Sequence, residues 1–314
     1  MTIQSPATPR ARHFFGLTGN PYLLLALTSL FWSGNHIVGR AIGGHVPPLG
    51  VSTLRWIIPT LLLWLLARRT IVNDWPAVRA SWKIMLWLGV TGGSLFTSLQ
   101  YVGLEYTSAL NVSVLNSLVP ILIIAVAGLI FGDRVTPLQM TGIVTSSVGV
   151  GVIIAQGKLE TLLHLSFNWG DIIIVFNMLV FAVYAAYLRL RPQIHPLTFL
   201  FVFGAISALG TLPFAVWEAA TGFTFKSDWM TVGAVLYVAL FPGFLAYLFW
   251  NRGVELIGAN RAGPFLHLIP VYTAIIATTV LGEQLHPFHI VGFALILGGV
   301  WLASTRGKNP AKTA

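Results

Sequence analysis

Polar and charged residues leave long stretches of the chain untouched. Apolar runs recur at residues 22–42, 48–67, 82–103, 109–131, 136–155, 170–189, 196–217, 229–251, 259–281 and 286–303. Each is close to the roughly twenty residues that carry a helix across about 30 Å of hydrocarbon at about 1.5 Å per residue. The pattern predicts an all-α integral membrane protein of ten transmembrane helices. Most links are short, so neighbouring helices are expected to run antiparallel; the longest polar links are 68–81 and 157–169.

The runs are not independent. The text from Tyr101 to Pro120 repeats from Asn251 to Pro270 at a fixed offset of 150 residues without a gap. Gly103 falls on Gly253, Glu105 on Glu255, Ala109 on Ala259, Leu118 on Leu268 and Pro120 on Pro270. Further on, Gly132 and Asp133 meet Gly282 and Glu283, Pro137 meets Pro287 and Gly142 meets Gly292. Chance likeness between apolar helices does not hold glycine, proline and acidic positions in step. Each copy has room for five spans, and an odd number sends the second copy into the bilayer from the opposite side, as in the inverted repeats of secondary transporters. The expected organisation is a disordered tail at 1–20, a first five-helix repeat at 21–156, a linker at 157–169, a second repeat at 170–304 and a tail at 305–314. The first span outruns the apolar core of a cleaved signal peptide and is expected to remain.

Composition agrees. With 56% hydrophobic residues, 9% charged residues and a mean hydropathy of +0.80, the surface must face lipid. The net charge of +9 reports orientation rather than nucleic-acid binding. If the N-terminus is cytoplasmic, fourteen Lys and Arg residues fall on inner segments and only Arg40, Lys158 and Lys226 on outer ones. That asymmetry puts both termini in the cytoplasm and the 157–169 link on the outer side of the membrane. The absence of Cys removes disulfides, thiolate chemistry and Cys-ligated metals, and no cofactor or metal site is expected.

Polar residues within the spans gather on single helical faces. Thr28, Trp32, Asn35, His36 and Gly39 share one side of the first helix, and Thr91, Ser94, Ser98 and Tyr101 one side of the third. Ser113, Asn116, Ser117 and Pro120 stripe the fourth; Gly263, His267 and Pro270 occupy the matching stripe on the ninth, so that Ser117 and His267 are repeat partners. An unpaired Asn or His in hydrocarbon costs several kcal/mol, so these groups either tie helices together or line a wet cavity. Asn177, Phe181 and Tyr184 on the sixth helix and Tyr247, Trp250 and Asn251 on the eighth extend the interior set. The candidate substrate-binding residues are therefore Trp32, Asn35, His36, Ser98, Tyr101, Asn116, Ser117, Tyr184, Tyr247 and His267. Pro120 and Pro270 are expected to kink their helices and act as paired hinges, or else to shape static packing. Trp56, Trp64, Trp82, Trp87, Trp229 and Trp301 read as interfacial or lipid-facing aromatics. Glycines at 128, 142, 149, 151, 292, 298 and 299 give the fifth and tenth helices a scaffold or dimer role. Arg55, inside the second span, is either a structural latch or an anchor for a substrate carboxylate.

The stretches YTSALNVSVLNSLVP (106–120) and ANRAGPFLHLIP (259–270), with TLRWIIPTLLLWLLARR (53–69) and LFWSGNHIVGR (30–40), resemble the EamA branch of the drug/metabolite transporter superfamily over residues 22–304. The resemblance implies ten helices in two inverted repeats and a central cavity lined chiefly by helices 1, 3, 4, 6, 8 and 9. Within the superfamily the chain looks most like the YddG-type amino-acid exporters of bacterial inner membranes. It departs from the usual Trp-Gly-Ser-Asn run by reading Trp32-Ser33-Gly34-Asn35-His36.

An enzyme is disfavoured, because every acid lies at a span end or in a loop and no catalytic constellation can form inside the membrane. No ATP-binding loop exists, so a gradient or the substrate itself drives transport; His36 and His267 are the candidates for proton coupling, and facilitated diffusion fits equally. A neutral, aromatic cavity suits export of amino acids, aromatic ones included. The alternatives are a lipophilic-cation exporter, which would want an inward-facing acid, and a sugar-phosphate or nucleotide-sugar carrier, which would want deep Lys or Arg. The expected partners are a small-molecule substrate and the lipid bilayer, the chain acting as monomer or homodimer.

Overall fold

A computed structural model describes residues 19–41, 46–107, 112, 115–158, 160, 168–222, 225, 228–280 and 286–304, with only the backbone described at 36, 39–41, 104, 105, 277 and 280. Most of the 157–169 link, both tails, Ser113, Gly282 and Glu283 lie outside the described residues, as does the side chain of His36. The helices are α1 (Pro21–Ala41), α2 (Pro48–Ala80), α3 (Trp82–Gly89), α4 (Phe96–Tyr106), α5 (Val119–Phe131), α6 (Pro137–Ile154), α7 (Trp169–Tyr187), α8 (Pro196–Ala220), α9 (Trp229–Val238), α10 (Ala246–Ile257), α11 (Ala259–Ala262), α12 (Leu268–Val280) and α13 (Pro287–Ser304). A π-helical segment, Val90–Leu95, joins α3 to α4, and another, Ala239–Leu245, joins α9 to α10. Six helical stretches among the described residues are long and apolar enough to cross a membrane. Leu65, Leu129 and Trp229 are 74%, 87% and 90% exposed, a surface that suits lipid rather than water.

Local chemistry sets the helix ends. Thr136 and Gln139 form a reciprocal capping box on α6, and Asn168 and Asp171 another on α7. The α2 N-terminus is capped from a distance: the Glu218 carboxylate accepts from the backbone N–H groups of Leu49 at 3.2 Å and Gly50 at 2.8 Å. A buried carboxylate is tolerable there because those orphan donors and the helix dipole stabilise its charge. Gly132, at φ 68°, closes α5 in the left-handed region that a side chain would resist.

The polar link expected at 68–81 is instead helix, since α2 continues for 33 residues. Asp74 on this extension accepts from the His195 N–H at 2.9 Å and so fixes the turn that enters α8.

Packing follows the offset. α4 lies on α7 as α10 lies on α1; α5 lies on α7 as α12 lies on α1; α2 meets its counterpart α8, and α6 meets α13. In the last pair the glycines exchange partners. A Cβ on Gly142 would come within 2.6 Å of the Gly299 carbonyl oxygen, and one on Gly149 within 2.8 Å of that of Gly292. Gly142 and Gly292 are one repeat-related couple and Gly149 and Gly299 another, so the crossing has the form of a pseudo-twofold contact. The scaffold role expected of these helices is thus met within one chain.

Candidate functional site

The centre of the bundle is an aromatic cluster from α1, α2, α7, α8 and α10. Tyr247 is its hub: its ring lies 4.9 Å from Trp56, 5.3 Å from Phe203 and 5.6 Å from Trp32. Trp32 also meets Trp250 at 5.7 Å and Phe181 at 5.9 Å, and Tyr184 meets Phe181 and Phe203, each at 5.7 Å. Most contacts are tilted or edge-on, the geometry the ring quadrupoles favour. Trp56, Tyr184, Tyr247 and Trp250 are fully buried. Trp56 therefore corrects the lipid-facing reading: its indole N–H donates to Thr97 and its ring packs on Phe203 and Tyr247. The other five tryptophans of that set are exposed.

The π-segments border this cluster. Tyr247 donates its hydroxyl to the Gly92 carbonyl at 2.7 Å, reaching from α10 into the first segment. The carbonyl of Pro242, in the second, accepts from the Trp32 indole N–H at 3.2 Å and from the Arg55 guanidinium at 3.3 Å. Such segments leave carbonyls free of the regular helical ladder and recur at functional sites. Gly92-Gly93 and Pro242-Gly243 stand 150 residues apart, a signal inside two apolar runs that sequence reading passed over. Both Gly93 and Gly243 admit a neighbouring helix: a Cβ would strike Ser207 of α8 in one case and the Arg55 backbone of α2 in the other.

Of the residues expected to bind substrate, Trp32, Tyr184 and Tyr247 come together here. Asn35 sits at the edge, its side-chain oxygen accepting from Arg55 at 3.5 Å. Tyr184 donates to Asn251, and Asn177 donates to Gln100 at 3.0 Å. Ser98 and Tyr101 are half-buried on α4, with the Ser98 hydroxyl lacking a partner among the described residues. His267 belongs to a second cluster: its Nε2 lies 3.1 Å from the Ser117 carbonyl and must donate to it, while Nδ1 lies 2.7 Å from the Ser146 hydroxyl. Repeat partners Ser117 and His267 thus touch, just ahead of α5 and α12 and against the middle of α6, rather than in the aromatic cluster. Asn116 stands half-buried beside this second cluster in sequence.

Pro120 does not kink a continuous helix. It stands in the first turn of α5, just after a turn at Ser117 and Leu118, where its missing N–H would have no intrahelical partner. On the other side the chain is equally irregular, with a 3₁₀ segment at Gly263–His267 ahead of α12 and Pro270.

One end of the bundle is laced by ions. Arg189 pairs with Asp133 and lies over Phe131, while Glu255 pairs with Arg191 at 2.5 Å and Arg252 at 2.6 Å. Arg189, Arg191 and Glu255 line a cleft of about 350 Å³, and the ion pairs join the ends of α5, α7 and α10. No group of metal-ligating residues occurs among the described residues.

The EamA-like transporter family model matches the chain twice, at residues 20–155 and 168–305. An uncharacterized transporter of Bacillus subtilis, YyaM, is 28% identical over 91% of this chain and 93% of its own length. An uncharacterized transporter of Archaeoglobus fulgidus is 26% identical over 92% of this chain and 99% of its own length. A protein of Streptantibioticus cattleyicolor described as a probable terminal-alkyne amino-acid exporter is 24% identical over 90% of this chain and 92% of its own. A solved crystal structure shares the fold with a TM-score of 0.69 at 19% identity, over 90% of this chain and 96% of that one. With both matches covering most of its length, the chain belongs to the EamA-like transporter family and is a multi-pass membrane transporter.

Proposed function

We propose that this transporter exports amino acids, aromatic ones included, across a bacterial inner membrane, in the manner of the YddG-type exporters it resembles. It works as a secondary transporter by alternating access of two inverted five-helix repeats, with both termini cytoplasmic. The observation that carries the reading is the aromatic cluster around Tyr247, apolar in its walls yet holding unpaired hydrogen-bonding atoms of both kinds. Among the described residues Trp250 Nε1 and Asn251 Nδ2 are buried donors without partners, and Asn177 Oδ1, one helical turn before Phe181, is a buried acceptor without one. Buried polar atoms are ordinarily satisfied, so a surplus of both kinds suits a ligand that brings an acceptor and a donor. A zwitterionic amino acid brings both, with a side chain for the rings. The relative described as an amino-acid exporter supports the same class.

Trp32, Tyr184 and Tyr247 form the walls, and Asn35 and His36 of α1 with Ser98 and Tyr101 of α4 complete the proposed set. Asn116, Ser117 and His267 tie the halves beside the breaks preceding Pro120 and Pro270, and the halves rock there. The test is counterflow into liposomes holding purified protein, with a panel of amino acids and tetraphenylphosphonium as a lipophilic cation. Saturable amino-acid exchange is expected. Transport of the cation alone would replace this reading with the lipophilic-cation exporter.

A further inference from the structure

We infer that Arg55 is the anchor for a carboxylate on the transported molecule, so that the protein selects substrates by their acid group as well as their apolar part. The inference rests on the amino-acid reading above and adds the group by which such a substrate is held.

Arg55 is 5% exposed and lies within α2, yet it forms no ion pair among the described residues. A guanidinium carries five N–H donors in a fixed fork and no acceptor. Here its contacts are sparse: 3.5 Å to the Asn35 side-chain oxygen, 3.3 Å to the Pro242 carbonyl, and the faces of Trp56 and Tyr247 at 5.8 and 6.0 Å. Both hydrogen bonds are long and go to neutral acceptors; the Nε hydrogen has no acceptor among the described residues. A latch serving only to hold helices would be expected to fill the fork, because a charge inside a membrane protein is costly and charge-assisted bonds offset that cost. The unfilled fork matches the two oxygens of a carboxylate, the group that guanidinium geometry recognises best.

Its position makes the anchor useful. The Pro242 carbonyl holds both Arg55 and the Trp32 indole, and Trp32 packs on Trp250, whose own N–H has no partner among the described residues. The cation therefore stands at the edge of the aromatic cluster, beside further free donors. A phenylalanine-like molecule would set its carboxylate on Arg55 and its ring among Trp32, Tyr247 and Trp250.

The experiment measures inhibition of phenylalanine counterflow in proteoliposomes by phenylalanine, phenylalaninamide and phenylpyruvate, for wild type, Arg55→Lys and Arg55→Gln. For wild type, phenylpyruvate should compete and the amide should be weaker than phenylalanine by about 10- to 100-fold, the worth of a bidentate charged contact. Arg55→Gln should lose about that factor for phenylalanine and little for the amide, and Arg55→Lys should lie between. Equal inhibition by acid and amide in wild type, or an unchanged half-saturation in folded Arg55→Gln, would overturn the anchor. Should Arg55→Gln fail to fold, the wild-type acid and amide comparison decides alone. Arg55-dependent transport of phenylpyruvate without amino-acid transport would refute the amino-acid reading and leave the anchor standing.

Discussion

Alanine at a glycine should act oppositely at two places on the same two helices, because only some glycines of α6 and α13 face each other. A Cβ on Gly142 would sit 2.4 Å from the Ala303 amide nitrogen, and one on Gly299 2.5 Å from the Gly142 carbonyl oxygen and the Ser146 nitrogen. Those are backbone atoms, which cannot swing aside as a side-chain tip can. The helices must separate, and overpacking of this kind costs about 1–3 kcal/mol. At Gly151 and Gly298 an added Cβ meets nothing within 4 Å. There the replacement should gain up to about 1 kcal/mol from helix propensity. Gly142→Ala and Gly299→Ala should therefore lie about 1–3 kcal/mol below Gly151→Ala and Gly298→Ala in stability, after the shared propensity gain is counted. The assay is thermal unfolding in one detergent, with transport measured per folded molecule and half-saturation unchanged in all four variants. Equal melting temperatures across the set would refute the close crossing. Loss of a dimer on substitution at Gly151 or Gly298 would instead put the outer glycines in an interface between chains.

Trp32→Ala should cut transport at least tenfold in folded protein, since it removes a wall of the cluster and the indole bond to Pro242; wild-type half-saturation would move the site elsewhere. His267→Ala should lower stability by about 1–3 kcal/mol, because it removes a buried imidazole together with its bonds to the Ser117 carbonyl and the Ser146 hydroxyl; an unchanged melting temperature would deny the tie. A cysteine at the exposed Glu160 should react with an impermeant thiol reagent applied from the periplasm, and labelling solely from the cytoplasm would reverse the topology. Pro120→Ala with Pro270→Ala should change the transport rate more than the melting temperature; identical rates would reduce both prolines to packing.

The 150-residue period was legible because glycine, proline and acidic positions carry information that apolar substitutions do not erase. Trp32, Tyr184 and Tyr247 were legible for a related reason, as deep aromatics on polar-striped helices. Trp56 was not. Hydropathy treats a ring against lipid and a ring against protein alike, since both surroundings are apolar, and only the contacts with Thr97, Phe203 and Tyr247 separate them. The π-segments were hidden because a helical wheel assumes constant pitch; widening a turn at Gly92 and Gly93 shifts the register between Thr91 and Ser98. His267 was placed on the correct helix but given the wrong neighbours, because a stripe identifies a face and not what covers it. The α2 extension was missed for its charges, which a helix tolerates once it has left the hydrocarbon.

The exchanged glycine couples have a consequence for how far the halves can diverge. A contact in which Gly142 meets Gly299 while Gly149 meets Gly292 is the kind that joins identical subunits across a dyad, where any substitution is suffered twice. Carrying both halves on one chain lifts that constraint. Where a position faces its own copy across such a dyad, identical subunits set the same side chain against itself, yet here the imidazole of His267 meets the carbonyl of its counterpart Ser117. Covalent fusion thus permits equivalent positions of the two halves to carry different side chains that face each other, an asymmetry that a symmetric pair of half-length chains has no means to encode.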